Sequence, residues 1–460
     1  MSFTGLPFAL ILGVLLPLWL ATRGRARHGL LLGASWIFYA WGTPWHLFLL
    51  WFSTALDYLV ARGLQRTPAQ NRARRRGLLA MSLVGNLGIL GAFKYAPFVL
   101  GALGLVEAPA PSEFHVTGSI PIGLSFYTFQ TLSYTIDVYR GRQEAIRSPV
   151  DFALYVAFFP QLVAGPIVRA SEFFPQLARP LQPDAARTWR SVELIAVGLF
   201  KKLVVADNLG IWVDEVMTNP LGWSAPALWL AGVMFTTQIY ADFSGYSTMA
   251  RGLAGLFGID LPRNFDFPQL ARNPLEYRRA WHITMGEWFR DYVYFPLGGS
   301  RGGLIRSSLN LMLVWALFGL WHGAGWSFLA WGLLNGALQV VYRPLSKRFP
   351  WKVPALIGIA LTMSFTSLSA LTFRAPGAQG LIDIYTRIAT LRLDGLWPKP
   401  LWVAVMLGLL GVHALSKRYY RDEDLLNHLP MGVRVGLLAG IAPVLLFAST
   451  QARPFIYFQF

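Results

Sequence analysis

The sequence predicts an all-α, polytopic integral membrane protein. Apolar residues make up 54% of the 460 residues and charged residues only 14%, whereas soluble domains carry about 25% charged residues. The charged residues are gathered in short stretches between apolar runs of membrane-spanning length. The chain also has 18 Trp and 17 Tyr, which suit aromatic belts at the bilayer faces. We therefore expect one transmembrane domain over residues 1–460, with ten to twelve crossings plus re-entrant and interfacial helices.

The apolar runs can be followed in order along the chain. The first, Leu6 to Thr22, has no positive charge before it and is followed by Arg23, Arg25 and Arg27. That polarity is the reverse of a secretory signal and fits a first span that starts outside. Several of the later runs are shorter than about 20 residues, so some are expected to be tilted, paired or re-entrant. Further spans are predicted at Leu30–Trp41, His46–Val60, Gly77–Phe93, Ser119–Ile136, Phe152–Val168, Ser191–Val205, Pro226–Ala241, Asn310–Leu320, Trp321–Val341, Val353–Leu371, Leu401–Leu415 and Val433–Phe447.

Basic clusters between the spans predict the orientation. By the positive-inside rule they lie in the cytoplasm, which places both the N-terminus and the C-terminus on the extracytoplasmic side. The same placement explains the formal net charge of +17 without a nucleic-acid partner. The clusters are Arg62, Arg66, Arg72 and Arg74–Arg76; Arg140, Arg142 and Arg147; Lys347, Arg348 and Lys352; and Lys417, Arg418 and Arg421.

Two stretches do not resemble simple spans. Phe158–Ile167 carries two prolines and a glycine inside an apolar run, and proline breaks the helical hydrogen-bond ladder. Broken backbone at membrane depth is tolerated only against protein or water, so this stretch predicts a re-entrant segment that lines a cavity. Leu261–Gly303 is too polar to face lipid and too aromatic for a disordered loop. We expect it to form an amphipathic element at the cytoplasmic interface.

Histidine is the residue type that points most directly to chemistry. His322 lies in a nearly uninterrupted apolar run from Leu311 to Val341, with Gly319, Gly323, Ala324 and Gly325 around it. A titratable ring at membrane depth is costly and often functional, and a neutral imidazole is suited to general-base catalysis. A purely structural hydrogen bond between helices is the alternative. His282 lies near charged residues and fits either a structural or a functional role. The other five histidines, which lie at span ends or in loops, are interpreted as interfacial.

Other chemistries find less support. The chain has no cysteine, and its histidines lack metal-ligand spacing, so no metal site is expected. Asp242-Phe243-Ser244-Gly245-Tyr246 is not a G-x-S-x-G elbow, and Asp242 with Ser244 is better interpreted as a buried pair that orients other groups. Walker and dinucleotide-binding motifs are absent. The acidic residues in apolar surroundings fit either a proton relay of a transporter or ion pairs with Arg140, Arg251 or Lys94; they are Asp57, Asp137 and Asp242.

The ordered motifs from about Leu30 to the C-terminus resemble the membrane-bound O-acyltransferase family, in its bacterial branch of alginate O-acetylation and teichoic-acid D-alanylation proteins. The resemblance implies acyl transfer through the membrane, with His322 as the essential intramembrane histidine. It places His282 at a second motif position, where the family often has histidine, asparagine or aspartate. The motifs are Ser119–Gln130, Asp137–Gly141, Phe159–Ile167, Asp242–Tyr246, Asn264-Phe265, Trp281–Gly299 and Trp321–Gly323.

The resemblance also implies a tunnel from a cytoplasmic thioester donor, with acetyl-CoA as the expected donor, to an extracytoplasmic acceptor. Its expected supporting residues are Gln161, Asp242, Ser244, Trp281, Glu287 and Trp321. In this branch a periplasmic SGNH-type O-acetyltransferase receives the acyl group and modifies a polysaccharide, with alginate as the first expectation, within a polysaccharide synthesis or secretion complex. The expected location is the bacterial inner membrane.

Tyr457 resembles the tyrosine of a C-terminal motif in this branch that is proposed to accept the acyl group; an aromatic belt anchor is the alternative. Two other functional classes stay open from the sequence. A transporter or flippase for a lipid-linked sugar or acyl carrier would need charged residues at several mid-span positions and an alternating pair of halves. A non-catalytic scaffold of a secretion complex would not depend on His322.

Overall fold

The protein is helical throughout the part that the computed structural model describes, which comprises residues 1–105, 121–179, 184–349, 353–375, 377–419, 426, 429–449 and 452–456. Within these ranges no β-strand is formed, and one isolated parallel bridge joins Trp223 to Leu396. The predicted all-α membrane fold class is confirmed.

The helices of the first half of the chain are mostly short, and two of them pass into π-helical turns at Gly91–Tyr95 and Phe200–Ala206. Pro7, Pro97 and Pro149 stand at the first or second position of their helices, where the missing N–H has no intrahelical partner in any case. The helices are α1 Leu6–Ala21, α2 Gly24–Ala40, α3 His46–Arg66, α4 Arg72–Leu90, α5 Ala96–Ala102, α6 Leu124–Tyr139, α7 Pro149–Ala157, α8 Phe159–Leu162, α9 Ala170–Leu177, α10 Ala185–Leu199 and α11 Asp207–Thr218.

The second half begins with α12, the longest helix of the protein as described. A third π-helical segment, Arg290–Tyr294, continues the short helix before it. The helices are α12 Ala225–Leu256, α13 Pro274–Ala280, α14 Ile283–Phe289, α15 Gly303–His322, α16 Trp326–Arg348, α17 Ala355–Ala370, α18 Gly377–Ala389, α19 Pro400–Tyr419 and α20 Met431–Ser449.

Six helical stretches among the described residues are long and apolar enough to cross a membrane, and the shorter α1 is also apolar. The predicted spans around Phe152, Ser191 and Pro226 correspond instead to helices that are short, amphipathic or largely buried in protein. The count of ten to twelve crossings therefore stays a prediction. The six stretches are His46–Arg66, Arg72–Ala102, Gly303–His322, Ala355–Phe373, Pro400–Tyr419 and Met431–Ala448.

The Cα positions divide the chain into two compact units. The first comprises chiefly Met1–Val197 and Tyr246–Pro262, and the second Gly198–Gly245 and Arg263–Ile456. This division does not test the expectation of one domain over residues 1–460, which stays a prediction.

The proline-rich stretch of the first unit is broken and fully enclosed. Helix α7 ends at Ala157, α8 spans only Phe159–Leu162, and every residue from 154 to 168 is buried. The side-chain amide of Gln161 donates to the Tyr155 carbonyl oxygen at 2.6 Å. Irregular backbone is thus covered by protein, as it must be in a chain surrounded by lipid.

The polar and aromatic stretch from Leu261 to Gly303, which belongs to the second unit from Arg263 onward, folds into the short helices α13 and α14 and their irregular connections. The aromatic side chains of Phe265, Trp288 and Phe289 are buried. Its polar residues largely face solvent, with Glu287 and Arg290 both half exposed. The stretch is therefore amphipathic, as the sequence predicts.

Candidate active site

His322 is the last residue of α15, and the chain turns at Gly323–Gly325 before α16 begins. The predicted start of a span at Trp321 is therefore wrong, because α15 runs on to His322. The His322 residue is 8% exposed. Its ring is enclosed by aromatic rings whose centroids lie 4.9 to 6.0 Å away, from Phe318, Trp321, Trp331 and Phe373.

Glycines bring the backbones of α15 and α16 into contact beside His322. A Cβ atom added to Gly319 would collide with the Phe328 carbonyl oxygen, and one added to Gly332 would collide with the Trp315 carbonyl oxygen. Both positions therefore require the absence of a side chain. The small residues next to His322 serve close helix packing, which fixes the helix end that carries the imidazole.

His282 lies at the N-cap of α14 and has a left-handed backbone, with φ of +43°. This region is uncommon for residues other than glycine. Asn264 holds the adjacent turn: its carbonyl oxygen accepts the Ile283 N–H at 2.9 Å, and its side-chain oxygen accepts the Thr284 hydroxyl at 2.7 Å. The sequence pair Asn264-Phe265 is thus part of the local structure that positions His282.

The environment of His282 favours the neutral imidazole. The residue is completely buried, and burial, then the nearby His322 and Arg278, lowers its pKa well below the ordinary value. A buried charged form would have to give up its hydration, which disfavours protonation. His282 can thus accept a hydrogen bond or a proton but does not carry a standing positive charge.

Trp321 brings the two histidines into one site. The centroid of its ring lies 5.5 Å from the His282 ring and 4.9 Å from the His322 ring. The His282 ring also meets the Phe243 ring of α12, with centroids 4.7 Å apart and nearly edge-on. Two imidazoles 40 residues apart in sequence therefore share one aromatic wall in the second unit.

Asp242 precedes Phe243 on α12 and belongs to a buried ionic cluster. The Lys202 ammonium nitrogen lies 2.7 Å from Asp242 Oδ1 and 2.7 Å from Asp207 Oδ1. The Lys202 and Asp242 side chains are only 5% and 2% exposed. One lysine shared by two carboxylates leaves this Lys202 cluster with an excess negative charge, which favours additional N–H donors.

The segment of residues 453–456 supplies such donors. The Ile456 N–H donates to Asp242 Oδ2 at 2.7 Å, and the Arg453 N–H donates to Asp207 Oδ2 at 3.2 Å. The Arg453 guanidinium also pairs with Asp214 at 2.6 Å. Phe455 is buried, and its ring lies 6.1 Å from that of Phe243. The 453–456 segment is thus tied to the helix that contacts His282. The predicted acceptor, Tyr457, lies outside the described residues.

The other predicted site residues have different surroundings. Trp281 stacks on Tyr277 at 5.6 Å and meets Phe265 at 5.2 Å, so it supports the turn before His282. Ser244 is fully buried on α12. Glu287 is half exposed and pairs with Arg290 at 3.7 Å. Gln161 lies in the first unit, where its side chain donates to the Tyr155 carbonyl oxygen.

Sequence reasoning did not single out Lys202, Phe243 or Asn264 for these roles. A lysine inside the apolar run Ser191–Val205 is the signal that would have found Lys202, since an intramembrane charge normally has a partner. His413, interpreted from the sequence as interfacial, packs against Tyr240 at 5.1 Å and Phe267 at 4.9 Å.

Two of the three acidic residues have partners that the sequence did not indicate. Asp57 is buried in the first unit and accepts hydrogen bonds from Ser82, from Thr135 at 2.8 Å and from Asn86 at 2.8 Å, and thus from neutral donors. Asp242 pairs with Lys202 rather than with Arg251. Among the described residues, no three His, Cys, Asp or Glu side chains are grouped to hold a metal, and the expectation that the protein needs none stays a prediction.

Comparison with known proteins connects this site to a family. The sequence model of the membrane-bound O-acyltransferase family matches residues 77–365. The chain is 34% identical to the peptidoglycan O-acetyltransferase of Helicobacter pylori over 382 residues, covering 76% of this chain and 71% of the relative. It is 31% identical to a "probable alginate O-acetylase" of Pseudomonas putida, covering 98% of both chains.

A more distant relative is the teichoic acid D-alanyltransferase of Bacillus subtilis, 25% identical over 53% of this chain and 66% of that protein. The matched region contains both histidines and the Asp242 helix. The predicted family and its alginate and teichoic-acid branch are confirmed, as is the predicted enzyme class, a multi-pass membrane O-acyltransferase. The chain belongs to the membrane-bound O-acyltransferase family.

Proposed function

We propose that the protein takes an acetyl group from acetyl-CoA in the cytoplasm and passes it across the membrane for O-acetylation of an extracytoplasmic polysaccharide. Alginate is the first candidate because full-length similarity links the chain to a protein named as an alginate O-acetylase; peptidoglycan is the second. A periplasmic SGNH-type O-acetyltransferase would receive the acetyl group. The observation that carries the proposal is the pair of buried histidines whose rings both pack against Trp321.

His322 would act as the general base. Its imidazole would take the proton of the acceptor hydroxyl while the hydroxyl oxygen attacks the thioester carbonyl carbon. The carbon–sulfur bond then breaks. His322 returns the proton to the departing sulfur, so that coenzyme A leaves as the free thiol and the imidazole is neutral again. The aromatic enclosure keeps water from competing for the thioester. His282, held neutral by burial, would position the donor or the acceptor by hydrogen bonding.

Tyr457 would be the first acceptor. Support comes from its neighbours: Ile456 is held by Asp242, and Phe455 packs near Phe243, which contacts His282. This anchoring of residues 453–456 beside the Phe243–His282 contact is what supports the choice of the residue that follows as acceptor. The phenol oxygen would carry the acetyl ester until the partner enzyme removes it.

This reaction requires a defined orientation. We propose that the protein lies in the bacterial inner membrane with its N-terminus and C-terminus outside, because the basic clusters then lie in the cytoplasm. The absence of cysteine allows a direct test. A cysteine placed at Arg74 should resist a membrane-impermeant maleimide in intact cells, and one placed at Leu393 should react; the reverse pattern would contradict this orientation.

The decisive experiment uses purified protein in detergent with acetyl-labelled acetyl-CoA. The native protein should release coenzyme A and acquire label, and His322→Ala should lower the transfer rate by about 10²- to 10⁴-fold, the usual contribution of a general base. Tyr457→Phe keeps the proposed base, His322, and removes only the acceptor hydroxyl. It should therefore abolish label on the protein. Mass spectrometry of the peptide that contains Tyr457 locates the ester.

His46→Ala is the matched control, because His46 lies in the first unit and contacts Trp45 rather than either histidine of the site. It should retain the native rate. A folded His322→Ala protein with the native rate would refute general-base catalysis. Uptake of intact acetyl-CoA or of another acyl carrier without thioester cleavage would favour the transporter alternative.

A further inference from the structure

The first unit contains a cavity of about 800 Å³ beside the end of α1. The α1–α2 connection, the end of α9, the start of α10 and residues 257–260 form its walls. The Trp19 and Phe257 rings, which meet edge to face at 5.4 Å, lie buried in its wall, and Leu177 and Ala178 add accessible apolar surface. Four arginines line the rest together with smaller polar groups: Arg25, Arg27, Arg179 and Arg187. The volume is typical of a site for a small ligand.

The walls of this cavity are held by specific hydrogen bonds. The Gln176 side-chain amide pairs with both backbone groups of Asp260: its oxygen accepts the N–H at 2.7 Å, and its nitrogen donates to the carbonyl oxygen at 3.2 Å. The Arg27 Nε donates to the Trp19 carbonyl oxygen at 3.1 Å, and its guanidinium lies 4.8 Å from the centre of the Trp19 ring. The cavity is thus preorganised rather than a gap between mobile side chains.

The charges in the cavity do not cancel one another. Each of its carboxylates has a partner: Asp151 pairs with His28 at 2.7 Å, and Asp260 pairs with Arg187 at 3.3 Å. The carboxylate of the third, Asp184, accepts only a backbone N–H among the described groups, that of residue 186 at 2.9 Å, so the positive excess of the lining comes from four arginines against three aspartates. Within the described part of the chain, Arg25 and Arg179 form no ion pair, and the one hydrogen bond of Arg27 uses only Nε. Three guanidinium groups therefore have donors left for an anion.

The surroundings indicate which anion fits. Trp19 lies in the last turn of an apolar helix, a position typical of the membrane–water interface. The cavity thus combines arginine donors with an apolar surface at headgroup depth. Phosphate is the group that arginine binds with several parallel hydrogen bonds. In the proposed orientation this interface is the cytoplasmic one, where anionic lipids attract basic residues.

We propose that Arg25, Arg27 and Arg179 bind the phosphate group of an anionic phospholipid, whose glycerol and upper acyl region contact the accessible apolar lining at Leu177 and Ala178. The site lies within the first unit, whereas both histidines of the acyl-transfer site lie in the second. The proposal requires no catalytic role for this cavity.

The test is native mass spectrometry of the full chain in detergent with added phosphatidylglycerol or phosphatidylcholine. The native protein should retain phosphatidylglycerol and not phosphatidylcholine. The double variant Arg25→Gln/Arg179→Gln should lose about tenfold or more in phosphatidylglycerol affinity, since each basic group near an anionic lipid contributes severalfold. Arg72→Gln/Arg76→Gln removes the same charge from exposed positions of another basic cluster and should bind like the native protein.

Three results would overturn the proposal. The first is equal retention of phosphatidylcholine, which would indicate a non-specific annular lipid. The second is equal loss of phosphatidylglycerol in both double variants, which would indicate a general charge effect. The third is displacement of phosphatidylglycerol by millimolar inorganic phosphate or coenzyme A, which would assign the site to a soluble phosphate instead of a lipid.

Discussion

The most demanding prediction concerns Lys202, whose substitution by methionine should destabilise the second unit. Methionine keeps the length and apolar stem of lysine but removes the ammonium group. Asp207 and Asp242 would then face each other without the cation that lies 2.7 Å from both. Their side chains are only 13% and 2% exposed, so water compensates poorly for the lost charge.

The magnitude follows from the burial of the cluster. Removing one partner of a buried ion pair costs about 3–5 kcal/mol. With an unfolding entropy of about 2.1 cal/mol/K per residue, a 460-residue chain has about 1 kcal/mol/K in total, so the melting temperature should fall by roughly 3–5 °C. Asp242→Asn should cost less, about 1–2 kcal/mol, because its side-chain oxygen can still accept the Ile456 N–H.

The assay is thermal unfolding in detergent combined with hydrogen exchange. Lys202→Met should melt earlier, and the amide of Ile456 should exchange faster because the cluster that holds it is broken. Lys347→Met is the matched control, since Lys347 is exposed at the end of α16. The reasoning is refuted if Lys202→Met melts like Lys347→Met, or if Asp242→Asn costs more than Lys202→Met.

Two further predictions concern the histidine site. Gly319→Ala should destabilise the protein by about 1–3 kcal/mol because its new methyl group would collide with the Phe328 carbonyl oxygen; the melting temperature measures this. His282 should make stability depend on pH. Its pKa is lowered in the folded protein, so below the ordinary value of about 6.5 only the unfolded chain takes up the proton. The stabilisation is therefore complete above about pH 6.5 and is lost as the pH falls, by up to about 1.4 kcal/mol per pH unit. The asparagine in His282→Asn cannot titrate. Its melting temperature should therefore fall less between pH 7 and pH 5 than that of the native protein.

Each of these predictions has its own control. Gly408→Ala makes the same change in α19, where an added methyl group meets nothing within 4 Å, and it should leave the melting temperature unchanged or raise it slightly, because alanine is the better helix former. Equal effects at Gly319 and Gly408 would contradict close packing of α15 against α16. For the pH dependence, equal losses of melting temperature in the native protein and His282→Asn would show that other groups account for acid sensitivity.

The helical membrane class and the buried, apolar setting of His322 could be predicted from the sequence because both rest on local chemistry. Apolar runs identify membrane helices by composition alone, and an imidazole within such a run is conspicuous. The end of α15 could not be placed, since Gly323 and Gly325 are tolerated within apolar helices and do not by themselves specify a turn.

The ion-pair partners of the charged residues could not be predicted from the sequence for a different reason. Lys202 pairs with Asp242, 40 residues away, and with Asp207, only five residues away. Nothing local distinguishes this arrangement from an ion pair between Asp242 and Arg251, which follows it in the same helix. Glu287 shows the converse case: its place within a motif suggested the tunnel, but its side chain pairs with Arg290 one helical turn later.

The left-handed backbone at His282 bears on how the second motif position is interpreted. Among residues with a side chain, histidine, asparagine and aspartate adopt this conformation most readily, and these are the three residue types that the family resemblance assigns to the position. Shared backbone tolerance, as well as shared hydrogen-bonding chemistry, can therefore explain that choice. Alanine at residue 282 alters the turn and the imidazole together, whereas asparagine changes the chemistry alone. The choice among these residue types at such a position thus reflects backbone conformation as well as reaction chemistry.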